Sequence, residues 1–170
     1  MQMNDQREIA ADPDTVFAAL LDPDVLCACI AGAREVTGNP EEGYAATVVQ
    51  KVGPVKATFR GQVTLSDMVK NERLTLTGEG KGGAAGFAKG VASVVLEPAA
   101  DDGTLLRYEV EARVGGKLAQ LGNRLIDGFA RKMADQFFAR LQAALEGPDE
   151  AAEGDVEQRK EGWLKRIAGG

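Results

Sequence analysis

The 170-residue chain is predicted to be an α+β domain. About seven antiparallel strands should pack one face on a long C-terminal helix, with two short helices after the first strand. Three observations predict this. The middle of the chain breaks into runs with apolar side chains at alternate positions, separated by glycine, proline, asparagine and aspartate turn signals. Two Asp-Pro starts, "DPDTVFAALLD" and "DPDVLCACI", interrupt the strand pattern near the N-terminus. The stretch "VGGKLAQLGNRLIDGFARKMADQFFARLQAAL", Val114 to Leu145, then carries apolar residues at spacings of three and four. A sheet with one apolar face and a striped helix are buried by covering each other.

The elements follow in order. "MNDQREIA" reads as the first strand. Asp12 can cap the first helix, Pro13 suits its first position, and Val16, Phe17 and Leu20 share a face. The second helix runs from about Pro23 to Ile30 and is ended by Gly32. "REVTG" is a short strand. "EEGYAATVVQKVG" and "PVKATFRGQVTLSD" flank Gly53-Pro54 and read as a hairpin. "NERLTLTGEG" and "AAGFAKGVASVVLEP" come next, and "GTLLRYEVEARVGG" follows the turn signal Asp101-Asp102-Gly103.

Alternation separates the two faces of these strands. Val55, Ala57, Phe59, Gly61 and Val63 of the fourth strand, and Leu106, Tyr108, Val110, Ala112 and Val114 of the last, should face the helix. Leu74, Leu76, Gly78 and Gly80 share the inner face of the fifth strand. In the sixth, Ala88, Gly90, Ala92, Val94 and Leu96 point inward. Val91 and Val95 then point outward with Lys89, Ser93 and Glu97. The inner face is therefore unusually small in places, whereas close-packed cores are normally filled by large side chains. Either the helix approaches the sheet closely or a cavity remains.

The long helix bears on that choice. Read as continuous, it places Leu118, Gly122, Leu125 and Phe129 on one stripe, which Met133, Phe137, Leu141 and Leu145 extend. An interior helix glycine costs roughly 1 kcal/mol relative to alanine. Gly122 on the buried face is expected to make room, for a ligand or for the sheet. Gly128 falls off the stripe.

Composition excludes several chemistries. There is no histidine among the 170 residues, so serine–histidine and cysteine–histidine catalysis are ruled out and the commonest transition-metal ligand is missing. No metal site is expected. A net charge of −6 argues against a nucleic-acid partner. Cys27 and Cys29 in "LCACI" have neither zinc nor redox-motif spacing and read as small buried side chains. No secretory signal and no run of about 18 apolar residues is present, so a cytoplasmic protein is expected.

The element order resembles the helix-grip fold of the START and polyketide-cyclase superfamily, in which a curved antiparallel sheet wraps a long C-terminal helix around an apolar pocket. The sequence resembles more closely the G-subunit family of carbon monoxide dehydrogenase, over about residues 3–146. The resemblance is carried by "CIAG" (Cys29–Gly32), "GFAKGVASVVLEP" (Gly86–Pro98), "GTLLRYEVEARVGGKLAQLGNRLIDG" (Gly103–Gly128) and "ARKMADQFF" (Ala130–Phe138). Ala31 stands where that family usually has proline. The resemblance implies a non-catalytic accessory protein. Its partner would be a molybdenum hydroxylase of the carbon monoxide dehydrogenase type, docked at the inner face of the cytoplasmic membrane. It also implies a lipophilic ligand, with a respiratory quinone favoured, and no covalent cofactor.

Residues 1–146 are thus expected to form a ligand-binding domain. Its apolar cavity should be lined by Phe17, Val48, Phe59, Leu76, Gly90, Leu118, Leu121, Gly122, Leu125 and Phe129, with Ile30 beside the entrance. Gln50 and Tyr108 are candidate polar groups on inward faces, Gln50 to orient a carbonyl and Tyr108 to donate to an oxygen. Residues 147–159 read as an acidic flexible linker and 160–170 as a short amphipathic tail. In the tail, Trp163, Leu164 and Ile167 with Lys160, Lys165 and Arg166 suit a membrane interface, or a docking site on a partner protein. Two competing functions stay open: a cyclase- or hydrolase-type enzyme using the same cavity, with lone acids such as Glu35 or Asp67, and an assembly factor without a ligand.

Overall fold

The computed structural model describes residues 1–146. The linker and tail readings at 147–159 and 160–170 lie outside the described residues. Seven strands form one sheet, β1 (Gln2–Ile9), β2 (Ala33–Asn39), β3 (Gly43–Val52), β4 (Val55–Val69), β5 (Arg73–Lys81), β6 (Phe87–Ala99) and β7 (Gly103–Gly115). Their spatial order is β1-β7-β6-β5-β4-β3-β2, with every pair antiparallel. Between β1 and β2 lie α1 (Pro13–Leu21) and α2 (Pro23–Cys29). Each starts as its sequence demands. Asp12 accepts from the Thr15 backbone N–H at 2.8 Å and Asp22 from that of Asp24 at 2.9 Å, with proline in the first turn of both.

Sequential antiparallel strands throw alternate connections to opposite ends of the sheet. Residues 40–42, 70–72 and 100–102 turn at one end. Gly53-Pro54, residues 82–86 and the segment after β7 lie at the other. The β3–β4 hairpin keeps unbroken register, from Tyr44 opposite Val63 to Val52 opposite Val55.

The alternation holds along β4 to β7. Inward positions are covered or half covered, and Val91 and Val95 stand on the outer face at 42% and 39% exposure. The C-terminal helix departs from expectation. It is two helices, α3 (Lys117–Gln120) and α4 (Asn123–Glu146), joined at Leu121-Gly122. Gly122 is exposed, with φ +88°, a left-handed conformation that glycine adopts without steric penalty. It is therefore a break between helices and makes no room on a buried face. The break alters the first turn of α4. Leu125, expected inward, is 40% exposed, and Ile126 is buried in its place. Beyond it the stripe returns to expectation, with Leu141 fully buried and Met133, Phe137 and Leu145 half-buried. Gly128 lies on the exposed side of α4, where an added Cβ meets nothing within 4 Å.

The core is divided. A large cluster includes Ile9, Val16, Phe17, Cys29, Leu74, Leu96, Leu106, Tyr108, Phe138 and Leu141. It joins α1, α2 and the C-terminal half of α4 to one end of the sheet. Tyr108 stacks on Phe138 at 5.2 Å, and Phe137 meets Phe138 edge-on. A small cluster of Val52, Leu118 and Ile126 sits at the other end, with Phe59, Val114, Leu121, Phe129 and Met1 packed against it.

Candidate ligand site

Between the two clusters the inner face of the sheet is lined by Gly61, Val63, Gly78, Gly80, Gly90, Ala92 and Ala112, none of them fully buried. The register brings these together: Gly61 opposes Gly80, Val63 opposes Gly78, and Gly78 opposes Gly90, which opposes Ala112. What an added Cβ would touch decides between close helix packing and a gap. At Gly80 it meets nothing within 4 Å. At Gly61 it meets only the Glu79 carbonyl and the Gly80 Cα, and at Gly78 only Val63 and the Gln62 carbonyl. No atom of α4 is within reach at any of these positions. The small residues therefore border open space on the inner side of the sheet. Gly90 differs, because its added Cβ would overlap the Glu111 carbonyl of the neighbouring strand.

The expected lining residues divide into groups. Phe59, Leu118, Leu121 and Phe129 meet in the small cluster, which closes the gap at the hairpin end. Val48 opposes Phe59 in the register and shares its inner face. Leu76 packs at the edge of the large cluster. Phe17 and Tyr108 belong to the filled core rather than to the gap, because α1 and the C-terminal half of α4 close over them. Gly122 and Leu125 face solvent for the reason given above. Ile30 caps α2 and is half-buried. Sequence reasoning did not name Val52, Met1, Val114 (placed inward but not as lining) or Ile126 among the lining residues. The first three lie on inner-face positions that alternation reaches, whereas Ile126 needed the break at Gly122.

Three inward polar groups, Gln50, Tyr44 and Thr104, are engaged with backbone. Gln50 donates its amide to the Ala31 carbonyl, so it pins the loop after α2 to β3. The Tyr44 hydroxyl donates to the Leu21 carbonyl at 2.6 Å, and the buried Thr104 hydroxyl to the Ala11 carbonyl at 2.6 Å. These three bonds tie both ends of α1 and the end of α2 to the sheet. Burial pushes the Tyr44 hydroxyl above its ordinary pKa, with the nearby Asp22 charge adding to it. The Cys29 thiol is pushed up to about 11 by burial, which leaves it a protonated packing group. Arg7 of β1 reaches Asp135 of α4 and lies over the Phe138 ring at 5.3 Å. The Asp135 hydrogen bond raises its pKa despite partial burial. Glu35 and Asp67 are exposed, each at an irregularity in its strand. Among the described residues no group of three or more histidine, cysteine, aspartate and glutamate side chains could hold a metal. No helix among them is long and apolar enough to cross a membrane.

A family model for the carbon monoxide dehydrogenase G-subunit (CoxG) matches residues 6–146. No curated protein matches the sequence. Among solved structures, a conserved protein from Geobacillus kaustophilus is 28% identical with a TM-score of 0.80, covering 86% of this chain and 95% of that one. A START superfamily protein from Mycobacterium smegmatis gives a TM-score of 0.64 at 14% identity, covering 85% of this chain and 97% of that one. A Chromobacterium violaceum protein gives 0.63 at 20% identity, over 87% and 99%. The last two similarities concern the fold alone, which is START-like.

Proposed function

The chain belongs to the CoxG family, and from that membership we propose that it is a non-catalytic accessory protein carrying a lipophilic molecule, a quinone foremost, in the gap on the inner side of the sheet. The family's name implies an association with carbon monoxide dehydrogenase. In this reading the protein couples a molybdenum-containing enzyme of that type to the cytoplasmic membrane.

The observation that carries the proposal is the space over Gly61, Gly78 and Gly80. It is bordered by small and apolar side chains and bounded at both ends by hydrophobic clusters. Such a site rewards an apolar ligand by removing it from water and asks little of hydrogen bonding. The inward Gln50, Tyr44 and Thr104 are committed to backbone carbonyls, which supports carriage over catalysis.

Mass spectrometry of organic extracts of the protein, purified from its native host, tests this reading. A stoichiometric quinone, recovered chemically unchanged, is expected. An extract without any lipophilic molecule refutes carriage and favours an assembly factor. A ligand released in altered form favours an enzyme.

A further inference from the structure

Charge is sorted between the two ends of the sheet. The turns at 40–42, 70–72 and 100–102 carry Glu41, Glu42, Glu72, Asp101 and Asp102, with Lys70 their one cation. At the opposite end, Gly53-Pro54, residues 82–86 and residues 116–122 contain no carboxylate. They consist largely of glycine, alanine, proline and leucine. Around them stand six exposed cations: Lys51 and Lys56 beside the hairpin turn, Arg60 and Lys81 on the outer face, Lys117 on α3 and Arg124 at the start of α4.

The register makes this end more unusual. Lys51 lies directly opposite Lys56, Arg60 opposite Lys81, and Lys89 opposite Arg113. Like charges directly across a strand pair destabilise a sheet. Glu79 lies opposite Lys89 and reaches Lys81 at 3.8 Å, and Glu111 stands on the same outer face two residues before Arg113, so acids offset the cations farther from the turn. The Lys51–Lys56 pair beside the turn has no carboxylate opposite it in the register, in a chain whose net charge is −6. Two large apolar side chains are exposed at the same end, Phe87 at 38% and Leu125 at 40%.

We propose that this end of the domain docks on an anionic lipid surface. The small, carboxylate-free connections and the two apolar side chains would meet the headgroup region, and the cations would sit at the level of the phosphates. Docking there sets the small core cluster, which closes the ligand gap at this end, against the bilayer. The proposal rests on the membrane half of the preceding reading and assigns it to the folded domain rather than to residues 160–170.

The test uses full-length protein and co-sedimentation with phosphatidylcholine vesicles, with and without phosphatidylglycerol, at low and high salt. Lys51→Glu with Lys56→Glu should lower partitioning onto the anionic vesicles at least about tenfold at low salt. Lys117→Glu with Arg124→Glu, on the helices, should do the same without touching the sheet. Lys70→Glu with Arg73→Glu changes net charge equally at the acidic end and should have a much smaller effect. Equal losses from both ends would mean a net-charge effect and would overturn the proposal. So would retained binding in the first two variants with loss in Trp163→Ser with Leu164→Ser, which would assign the membrane contact to the tail. Circular dichroism melts verify that each variant is folded. Organic extracts of the same samples report the ligand separately, so carriage and docking can fail independently.

Discussion

Gly80→Leu tests the gap most directly. Gly80 has an ordinary φ and empty space where its side chain would begin. Relieving a strand glycine should gain roughly 0.5–1 kcal/mol from backbone entropy. The added carbons enter a half-buried apolar space, where about half of the ~0.8 kcal/mol per fully buried methylene should be recovered from each. Four added carbons give about 1.6 kcal/mol, and after roughly 0.5–1 kcal/mol of lost leucine rotamer entropy the net is roughly 1–2 kcal/mol of stabilisation, or a melting temperature higher by roughly 2–8 °C for a chain of this size. Gly90→Ala is the matched contrast, because its Cβ would overlap the Glu111 carbonyl and lie 3.0 Å from Ala112. Overpacking of that kind costs about 1–3 kcal/mol, so the melting temperature should fall. The assay is thermal unfolding followed by circular dichroism, with quinone content of organic extracts measured on the same preparations. Gly80→Leu should melt higher and carry less quinone. If it is destabilised as much as Gly90→Ala, something covers Gly80 and the gap does not exist. If it melts higher with unchanged quinone content, the ligand binds elsewhere.

Gly122→Ala should cost about 1–2 kcal/mol in chemical unfolding through its left-handed backbone alone, since an added Cβ there touches nothing. No loss would place Gly122 back inside a regular helix. Cys29, with its thiol raised to about 11 by burial, should resist iodoacetamide at pH 8 in the native protein and react on unfolding, while the half-buried Cys27 is labelled first. Peptide mass mapping after timed labelling reads the order, and early Cys29 labelling would contradict its burial. The Asp12 carboxylate is held below its usual range by hydrogen bonds from Thr15, so the stability it confers is present at neutral pH and is lost as pH falls through that lowered pKa. The difference in melting temperature between the native protein and Asp12→Ala should therefore be largest near pH 7 and shrink in acid, and a difference that grew in acid would refute the capping role.

Where local chemistry dictates structure, the sequence was readable. The Asp-Pro starts, the hairpin at Gly53-Pro54 and the alternation of β4 to β7 each rest on interactions within a few residues. Even Val91 and Val95, apolar yet outward, followed from the phase set by Gly90 and Ala92. The C-terminal helix was misread where one residue decides the geometry. Gly122 fits a helical stripe by spacing, but its left-handed φ breaks the helix and alters the first turn of α4, where Ile126 is buried instead of Leu125. The site was half legible. Small inner residues signalled either close packing or a gap, and only the position of α4 could separate the two. Gln50 was identified as inward, but its partner, the Ala31 carbonyl, is brought to it by the chain reversal at Gly32.

The division of the core has a dynamic consequence. The large cluster is tied to the helices by the Tyr44 and Thr104 bonds and by the end of α4, where Gln142 donates to the Glu8 carbonyl at 2.7 Å. The small cluster has three buried members and hangs partly on α3, a single turn held between left-handed Gly116 and Gly122. Parts of a domain with fewer buried contacts open at lower free energy than the whole. The amides of residues 117–121 and of the β3–β4 hairpin should therefore exchange with solvent deuterium well before those of β7, through an opening that leaves the rest of the fold closed. A ligand held in the gap would then leave through this fraying end, at a rate set by local opening rather than by global unfolding.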